Sequence, residues 1–382
     1  MALKSVSSSS KKISAGRHVL MAAIMIAIVL IAIEMMSFVA ANRLKNSGVF
    51  YDPATVKQSY DDYLAKRDLV LGWGRDGPRS DPVSPVTAEP CVSLFGNSFT
   101  ASSEVEDRDA WGSVLATKLG CRVANYGVGG YGSDQAYLRY RSLPPKGTVV
   151  FLNHLSENII RNVNQYRHLL RSGSQFSFKP RFVYKNGAAK LIETPQISPN
   201  LISDFKNNPA SYLHNEYFLP GGSAGNQVMG FPYSVALFKA ILWNEHLRAR
   251  LQGKPQHADF YRPQHESQGL EVTYEIIRAF AKDAARRGQL PIVTIIPTCD
   301  DFIYFNRNGA FPYTRLKKMI VTQNIRFIDF GEEIMKRLRG SSPEKLYHGC
   351  YRHFNESGYR YLANIAFDYL KNDPEAWRRL TN

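Results

Sequence analysis

The sequence has little cysteine, since only four occur in 382 residues, too few for disulfides to take the place of a hydrophobic core. It has no internal repeat and no low-complexity tract beyond Ser7–Ser10, which excludes a solenoid or a largely disordered chain. It also lacks an HExxH motif and any metal-type clustering of His and Cys, so we expect neither a metal nor a cofactor. These absences indicate a globular chain with a sizeable hydrophobic core.

Acidic residues are scarce relative to basic ones. Lys and Arg number 48 against 33 Asp and Glu, a net charge of +15, which favours acidic partners such as anionic lipid or polyanionic glycan. No C2H2 spacing, basic-region heptad or RNP-type motif occurs, and the basic residues are scattered. We therefore expect no nucleic-acid partner.

One long apolar run, residues 19–41, follows a basic tail at residues 1–18 and is interrupted by Glu34. A membrane span needs about 20 apolar residues, and basic flanks stay in the cytoplasm. The run predicts a transmembrane signal anchor. Val39-Ala40-Ala41 also suits a signal peptidase, so cleavage and secretion is the alternative. Either way residues 42–382 are exported, to the periplasm or the cell exterior.

Export makes disulfides possible. Cys91 and Cys121 each open a predicted strand, and neighbouring parallel strands would bring them together at one edge of a sheet. Cys299 and Cys350 form a second candidate pair. Buried free thiols are the alternative for all four.

The exported part divides by composition. Residues 42–90 are rich in Gly and Pro towards their end and form a stalk or lead-in, whereas residues 91–382 form the main domain. There, apolar strands alternate with helical patterns. The strands are predicted at residues 91–95, 122–126, 149–153, 291–297 and 325–330. This βα order predicts an α/β fold with a doubly wound parallel sheet.

The βα order breaks at about residues 163–263. This stretch is rich in Tyr, Phe and Arg, and Asn186-Gly187 predicts a hairpin turn within it. We interpret it as an insertion that forms a cap over the site. Aromatic faces and Arg side chains suit sugar rings and acidic groups, although packing within the cap explains the aromatic residues equally well.

A serine and a histidine stand at positions where chemistry is expected. Ser98, in Gly96-Asn97-Ser98, lies in the turn between the first strand and a helix, at the carboxyl edge of the sheet where ligands bind. His353 lies in a loop just before the last helix. Together they suit a nucleophile and its base. Considered alone, Ser98 could be only a helix N-cap and His353 only a surface residue, and neither role needs catalysis.

A glycine loop gives a competing signal. Gly127, Gly129 and Gly132 have the spacing G-x-G-x-x-G, which is typical of a dinucleotide-binding oxidoreductase. The loop follows the second predicted strand, however, and opens only a short helix that two prolines end. These two features disfavour a nicotinamide cofactor.

Residues 91–370 resemble the SGNH/GDSL hydrolases, which have a flavodoxin-like sheet. VSLFGNSFT is similar to the family's GDS block, with Ser98 as nucleophile and Asn97 where Asp is usual. NYGVGG is similar to the second block, which implies that the amide of Gly130 donates to an oxyanion. These two motifs occur in the family's order.

The other two blocks depart from the family. In HLSENIIRN the alignment puts Glu157 in the place of the oxyanion asparagine, with Asn158 beside it and Asn153 at the strand end; we favour Asn158. In the last block His353 is the implied base, but Cys350 stands where an Asp is usual. Either a Ser-His dyad operates or another acid substitutes.

The candidate substitute acids are Asp300 and Asp301, just past a predicted strand at the same sheet edge; as a solvated loop or helix cap they would need no catalytic role. The resemblance implies a serine ester hydrolase or O-acyltransferase acting on acyl esters such as acetyl esters, and we expect cell-envelope carbohydrate as the substrate. The alternative is a catalytically silent domain that binds glycan or an assembly partner.

Overall fold

The structure is a computed structural model that describes residues 9–44, 49–74, 77–79, 82, 88–171, 173–222 and 224–381. The side chains of residues 9–15, 246 and 250 are excepted. The first eight residues of the expected cytoplasmic tail and much of the Gly- and Pro-rich stretch before residue 88 lie outside the described residues.

The chain alternates strands and helices through most of its length. The strands are β1 (Phe50–Tyr51), β2 (Val92–Phe95), β3 (Val123–Asn125), β4 (Val149–Leu155), β5 (Arg181–Lys185), β6 (Ala188–Ile192), β7 (Gln227–Val228), β8 (Leu290–Ile296) and β9 (Phe327–Asp329). The helices are α1 (Ser9–Leu44), α2 (Tyr60–Lys66), α3 (Ser98–Ala101), α4 (Trp111–Leu119), α5 (Ser133–Ser142), α6 (Asn158–Arg161), α7 (Arg167–Leu170), α8 (Ile202–Asn207), α9 (Tyr233–Trp243), α10 (Glu245–Leu251), α11 (Gly269–Arg286), α12 (Cys299–Asn308), α13 (Thr314–Thr322), α14 (Phe330–Leu338), α15 (Glu356–Asn372) and α16 (Pro374–Thr381).

The central sheet has five parallel strands in the order β3-β2-β4-β8-β9. Counted along the chain within the sheet, this order is 2-1-3-4-5, the flavodoxin arrangement. The strands are nearly continuous apolar runs that are buried on both faces, as parallel strands between two helix layers must be. The predicted α/β fold with a flavodoxin-like, doubly wound parallel sheet is confirmed.

The helices that cover this sheet form two groups. In one group α11 contacts both α5 and α13. In the other group α15 contacts α4, α14 and α16. The strands are parallel, so their carboxyl ends lie at the same edge of the sheet. This edge carries Ser98, the glycine loop and the residues that follow β4 and β8.

The described part of the lead-in packs against the insertion. Strand β1 pairs with β7, and Tyr60 and Tyr63 of α2 contact the ring of Phe176, with Tyr63 also contacting Phe178. These rings belong to the main hydrophobic core. The expected stalk is therefore anchored to the domain through this stretch.

The insertion contains the predicted hairpin. Strands β5 and β6 are antiparallel and pair Lys185 with Ala188, and the turn residues Asn186 and Gly187 have φ of 52° and 78°. Two positive φ values define a type I′ turn, for which Asn-Gly is the preferred sequence. The hairpin prediction is confirmed.

All four cysteines are paired. Disulfides join Cys91 to Cys121, at the starts of β2 and β3, and Cys299 to Cys350. Both expected pairs therefore form, and the alternative of free thiols is excluded.

Helix α1 contains the expected membrane segment. Its residues Gly16–Leu44 are long and apolar enough to cross a bilayer, and most of their apolar side chains are exposed, Ala41 being a buried exception. An apolar helix that is not buried in protein suits a lipid environment or a leader segment.

Candidate active site

Ser98 opens α3, in the sharp turn that follows β2. The Asn97 side chain caps this helix, because its Oδ1 accepts a hydrogen bond from the Phe99 amide at 2.9 Å. A Cβ on Gly96 would lie 2.0 Å from Thr100 Oγ1 and 3.1 Å from Asn153 Cβ, so the turn requires glycine. Ser98 is partly exposed at the end of this turn.

His353 is held by a carboxylate that sequence reasoning missed. Its Nδ1 lies 2.7 Å from Glu104 Oε1, and its ring packs on Phe99, the neighbour of Ser98, with centroids 4.6 Å apart. Because a carboxylate can only accept, Nδ1 carries a proton, and in the neutral form of the ring the free lone pair is then on Nε2. The neutral imidazole therefore has the tautomer that a general base requires.

Glu104 stays ionised in this position. Burial raises the pKa of its carboxyl group, but the hydrogen bond and charge of His353, with the charges of Arg352 and His348, outweigh burial and lower that pKa. The Glu104 and His353 side chains are 27% and 23% exposed. The pair lies at the surface of the site, where substrate can reach it.

The expected substitute acids lie elsewhere. Asp301 is fully buried, and its carboxylate accepts from Thr298 at the start of α12 and from Ser156, and contacts His257 Nε2 at 2.8 Å. It caps α12 together with Thr298, which was the alternative role expected for it. Asp300 lies beside it in the first turn of the same helix.

The carboxylate that contacts His353 is that of Glu104, which the sequence did not single out. Cys350, which stands where the resemblance would place an Asp, is bonded to Cys299. Glu104 follows Ser98 closely in sequence, but it belongs to a polar loop with several acidic residues. No periodic pattern distinguishes it, so only the tertiary contact identifies it.

In the described residues, no direct hydrogen bond joins Ser98 Oγ to His353. Such bonds are commonly long in an unliganded site and shorten once substrate is bound. The expected proton transfer between these two residues stays a prediction.

Gly130 lies in the loop after β3 with φ of 81°. Trp73 Nε1 donates to the carbonyl of Gly129 at 3.0 Å, and Arg167 Nη1 donates to that of Gly130 at 2.9 Å. In a trans peptide the C=O and N–H point in opposite directions. The Trp73 contact therefore turns the amide N–H of Gly130 away from Trp73. In the described part of the chain, neither this amide nor that of Ser98 donates a hydrogen bond.

Asn158 is fully buried at the start of α6. Its Oδ1 accepts from Asn97 Nδ2 at 2.8 Å, and its Nδ2 donates to Ser133 Oγ at 3.3 Å. Asn97 thus connects the turn that carries Ser98 to Asn158, and its amide, unlike the usual Asp, supplies the donor for this bond. The second proton on Asn158 Nδ2 has no partner among the described residues.

The other two candidates for the amide have different contacts. Glu157 accepts from Arg161 Nη2 at 2.9 Å. Burial raises the pKa of Glu157, but the charge and hydrogen bonds of Arg161 outweigh it, so that the pKa is lowered to about 2. Asn153 lies inside the sheet, where its Oδ1 accepts from Thr294 at 2.9 Å. Of these three residues as described, only Asn158 has a side-chain hydrogen bond to the serine turn.

A basic cavity opens beside the glycine loop. It measures about 320 Å³ and is lined by Arg167, His168, Arg171, Gly173, Ser174, Gln175 and Ser177. Burial and the neighbouring charge of Arg161 lower the pKa of Arg167 to about 9, which still leaves it charged at neutral pH. Because Arg167 also holds Gly130, the cavity and the glycine loop share a wall.

Among the described residues, no group of three or more His, Cys, Asp or Glu side chains is arranged to hold a metal ion.

Comparisons with known proteins give structural neighbours only. No family model and no curated protein matches the sequence. A putative G-D-S-L lipolytic protein from Desulfitobacterium hafniense is 13% identical, with a TM-score of 0.35 over 73% of this chain and 98% of its own. A member of the lipolytic G-D-S-L family from Veillonella parvula is 12% identical, with a TM-score of 0.34 over 74% of this chain and 98% of its own. An alpha/beta hydrolase from the Lake Arreo metagenome is 11% identical, with a TM-score of 0.37 over 75% of this chain and 96% of its own.

TM-scores this low carry no conclusion about the function of this chain. The solved structures to which this chain is similar thus include two G-D-S-L lipolytic proteins and an alpha/beta hydrolase.

Proposed function

We propose that this chain is a membrane-anchored serine ester hydrolase or O-acyltransferase that works through an acyl-enzyme on Ser98. The observation that carries the proposal is the Glu104–His353 pair, packed on Phe99 beside Ser98. A carboxylate, an imidazole with a free Nε2 and a serine at the start of a helix are the parts of a nucleophilic site.

In the proposed first step His353 Nε2 takes the proton of Ser98 Oγ, which attacks the ester carbonyl. The amides of Ser98 and Gly130 and the Nδ2 of Asn158 stabilise the resulting oxyanion. When the tetrahedral intermediate collapses, the C–O bond to the alcohol breaks and the alcohol leaves with the proton from His353. Glu104 stabilises the imidazolium between these transfers.

In the second step an acceptor hydroxyl attacks the acyl-enzyme. His353 takes its proton, a second tetrahedral intermediate forms, and Ser98 leaves with that proton as the acyl group is released. If the acceptor is water, the enzyme is an esterase; if it is a sugar hydroxyl, it is a transferase. Neither step changes an oxidation state, so neither requires an oxidant or a reductant.

We propose an acylated carbohydrate of the cell envelope as substrate. The basic cavity beside Gly130 and the aromatic residues of the insertion support a sugar polymer that carries negative charge. The net charge of +15 favours the same class of partner.

We propose that residues 19–41 anchor the protein and are not cleaved. Glu34 and Phe38 of α1 contact Tyr233 of α9, contacts that cleavage after Ala41 would remove. Sequencing the amino terminus of the mature protein tests this, since a chain that starts at Asn42 would contradict the anchor.

The catalytic proposal is tested on the full-length chain in detergent with p-nitrophenyl acetate and a fluorophosphonate probe. We expect turnover and covalent labelling that Ser98→Ala abolishes, whereas Ser103→Ala, an exposed serine of the same loop, keeps both. If the folded wild-type protein shows neither, catalysis is abandoned in favour of a silent glycan-binding or assembly domain.

A further inference from the structure

Helix α9 has an apolar face that no described residue covers. Its exposed apolar side chains, together with Phe231 just before it, are Phe231 (78% exposed), Val235 (46%), Phe238 (63%), Ile241 (49%), Leu242 (44%) and Trp243 (42%). Single exposed apolar residues are ordinary, but a contiguous set on one short helix marks an interaction surface.

The opposite face of α9 packs on α1. Ala236 and Ala240 share a small core with Ala41 and Phe50, separate from the core of the domain. The small alanine side chains let the two helix backbones approach closely, as helices in membranes do. Helix α9 is thus attached to the segment that we propose as the anchor.

Glu34 makes the most specific contact between the two helices. Its carboxylate accepts from the amides of Tyr233 at 2.7 Å and Ser234 at 3.2 Å, and also from the Ser234 hydroxyl. Amides in the first turn of a helix have no partner within that helix. In hydrocarbon, a carboxylate and unpaired amides are both costly, and here each satisfies the other.

The position of this contact sets the depth of α9. Glu34 lies about 10 Å below Ala41 along α1, at a rise of about 1.5 Å per residue. Helix α9 begins beside Glu34 and Phe38 and continues outward, because Ala236 and Ala240 pack near Ala41. At its other end Lys239 lies 5.7 Å from the ring of Trp243, a pair typical of the membrane interface.

We propose that residues 231–243 are a second membrane-embedded element, which enters the outer half of the bilayer beside α1 and packs its uncovered face on lipid acyl chains. The inference rests on the proposed anchoring of residues 19–41. The exposed apolar side chains of α9 then lie in hydrocarbon instead of water. Glu34, the one charged residue within the apolar run of residues 19–41, then serves to bind the first amides of α9.

The test uses the full-length protein in phosphatidylcholine vesicles. One cysteine is introduced in each variant and labelled with a polarity-sensitive fluorophore. The four native cysteines are in disulfides and do not react with the label. Phe238→Cys reports on α9 and Ile28→Cys on the anchor. The matched control is Val321→Cys, an apolar side chain of α13 that is 53% exposed. Lipids with a nitroxide on the acyl chain should quench positions 28 and 238 by about twofold or more, and leave 321 unchanged, because quenching requires contact with the hydrocarbon layer.

The outcomes separate the two proposals. If position 28 is quenched and 238 behaves like 321, the anchor stands and the inference is overturned. If neither 28 nor 238 is quenched, the anchor fails and the inference fails with it. A measurement without any variant uses the unsubstituted protein and a phospholipid with a mid-chain diazirine. Adducts within residues 231–243 support the inference, and adducts confined to residues 19–41 contradict it.

Discussion

At the scale of single residues, Glu104 has the largest expected effect, because it fixes the His353 tautomer and stabilises the charge that forms on the ring. The change Glu104→Gln keeps the size of the side chain and removes its charge. We expect kcat to fall by about 10²- to 10⁴-fold, the range that such acid–base partners contribute, with KM changed much less. Steady-state kinetics with p-nitrophenyl acetate measures both constants.

The control for this variant is Glu106→Gln. Glu106 lies in the same loop, but its side chain is 73% exposed and pairs with Arg108. It should keep wild-type kcat. A Glu104→Gln enzyme that is as active as wild type would remove Glu104 from the mechanism.

The Glu157 carboxylate gives a prediction about pH and stability. Its pKa falls from 4.5 to about 2 in the folded chain, so the Arg161 contact stabilises the fold above about pH 4.5. This stabilisation is lost as the pH falls towards 2, because the folded state must then take up the proton that the unfolded state has already bound. We expect Glu157→Gln to lower Tm at pH 7 and the difference from wild type to shrink at about pH 2.5. A difference that does not depend on pH would contradict this assignment.

At the scale of elements, the glycine loop depends on one side chain from the lead-in. Trp73 Nε1 holds the Gly129 carbonyl and so directs the Gly130 amide. The change Trp73→Phe keeps an aromatic ring and removes the donor. We expect kcat to fall by about tenfold or more, a smaller loss than removing an oxyanion donor outright, with KM changed less. If KM rose while kcat stayed constant, Trp73 would bind substrate and not orient the loop.

The disulfide between Cys299 and Cys350 joins the start of α12 to the loop that carries His353. Without it that loop loses its covalent attachment beside the site, so we expect Cys299→Ser with Cys350→Ser to lower kcat/KM by about tenfold while the fold persists. The matched control is Cys91→Ser with Cys121→Ser, which removes a disulfide at the opposite ends of the strands. Equal losses in the two double variants would show that stability alone is responsible.

The elements that the sequence predicts are those with strong local signals. The five core strands are short apolar runs between turns, and Asn186-Gly187 specifies its hairpin turn by itself. Ser98 and His353 could be selected because each occupies a recognisable place in the βα order. Glu104, Trp73 and the Asn97–Asn158 bond could not, because each contact joins segments that are distant along the chain or lie in irregular loops.

At the scale of the whole molecule, the positive charge and the basic cavity predict how the substrate is held. Arg171 lines the cavity and is exposed, so Arg171→Gln should leave kcat for p-nitrophenyl acetate unchanged and weaken binding of an acidic acylated polysaccharide by severalfold. The loss should be greater at low than at high ionic strength, since salt screens the interaction in wild type as well. Binding isotherms at two salt concentrations measure it, with Lys282→Gln as an exposed control on α11. Equal loss of affinity in the control would assign the effect to net charge.

The packing of the lead-in limits how far the candidate site can move from α1. Strand β1 begins at Phe50, shortly after α1 ends at Leu44, and is already paired with β7. If residues 19–41 anchor the chain as proposed, few residues separate the anchor from this paired strand, and the candidate site would sample a thin layer at a nearly constant height above the bilayer. The surface density of substrate at that height, and not its bulk concentration, would then set the proposed rate of turnover.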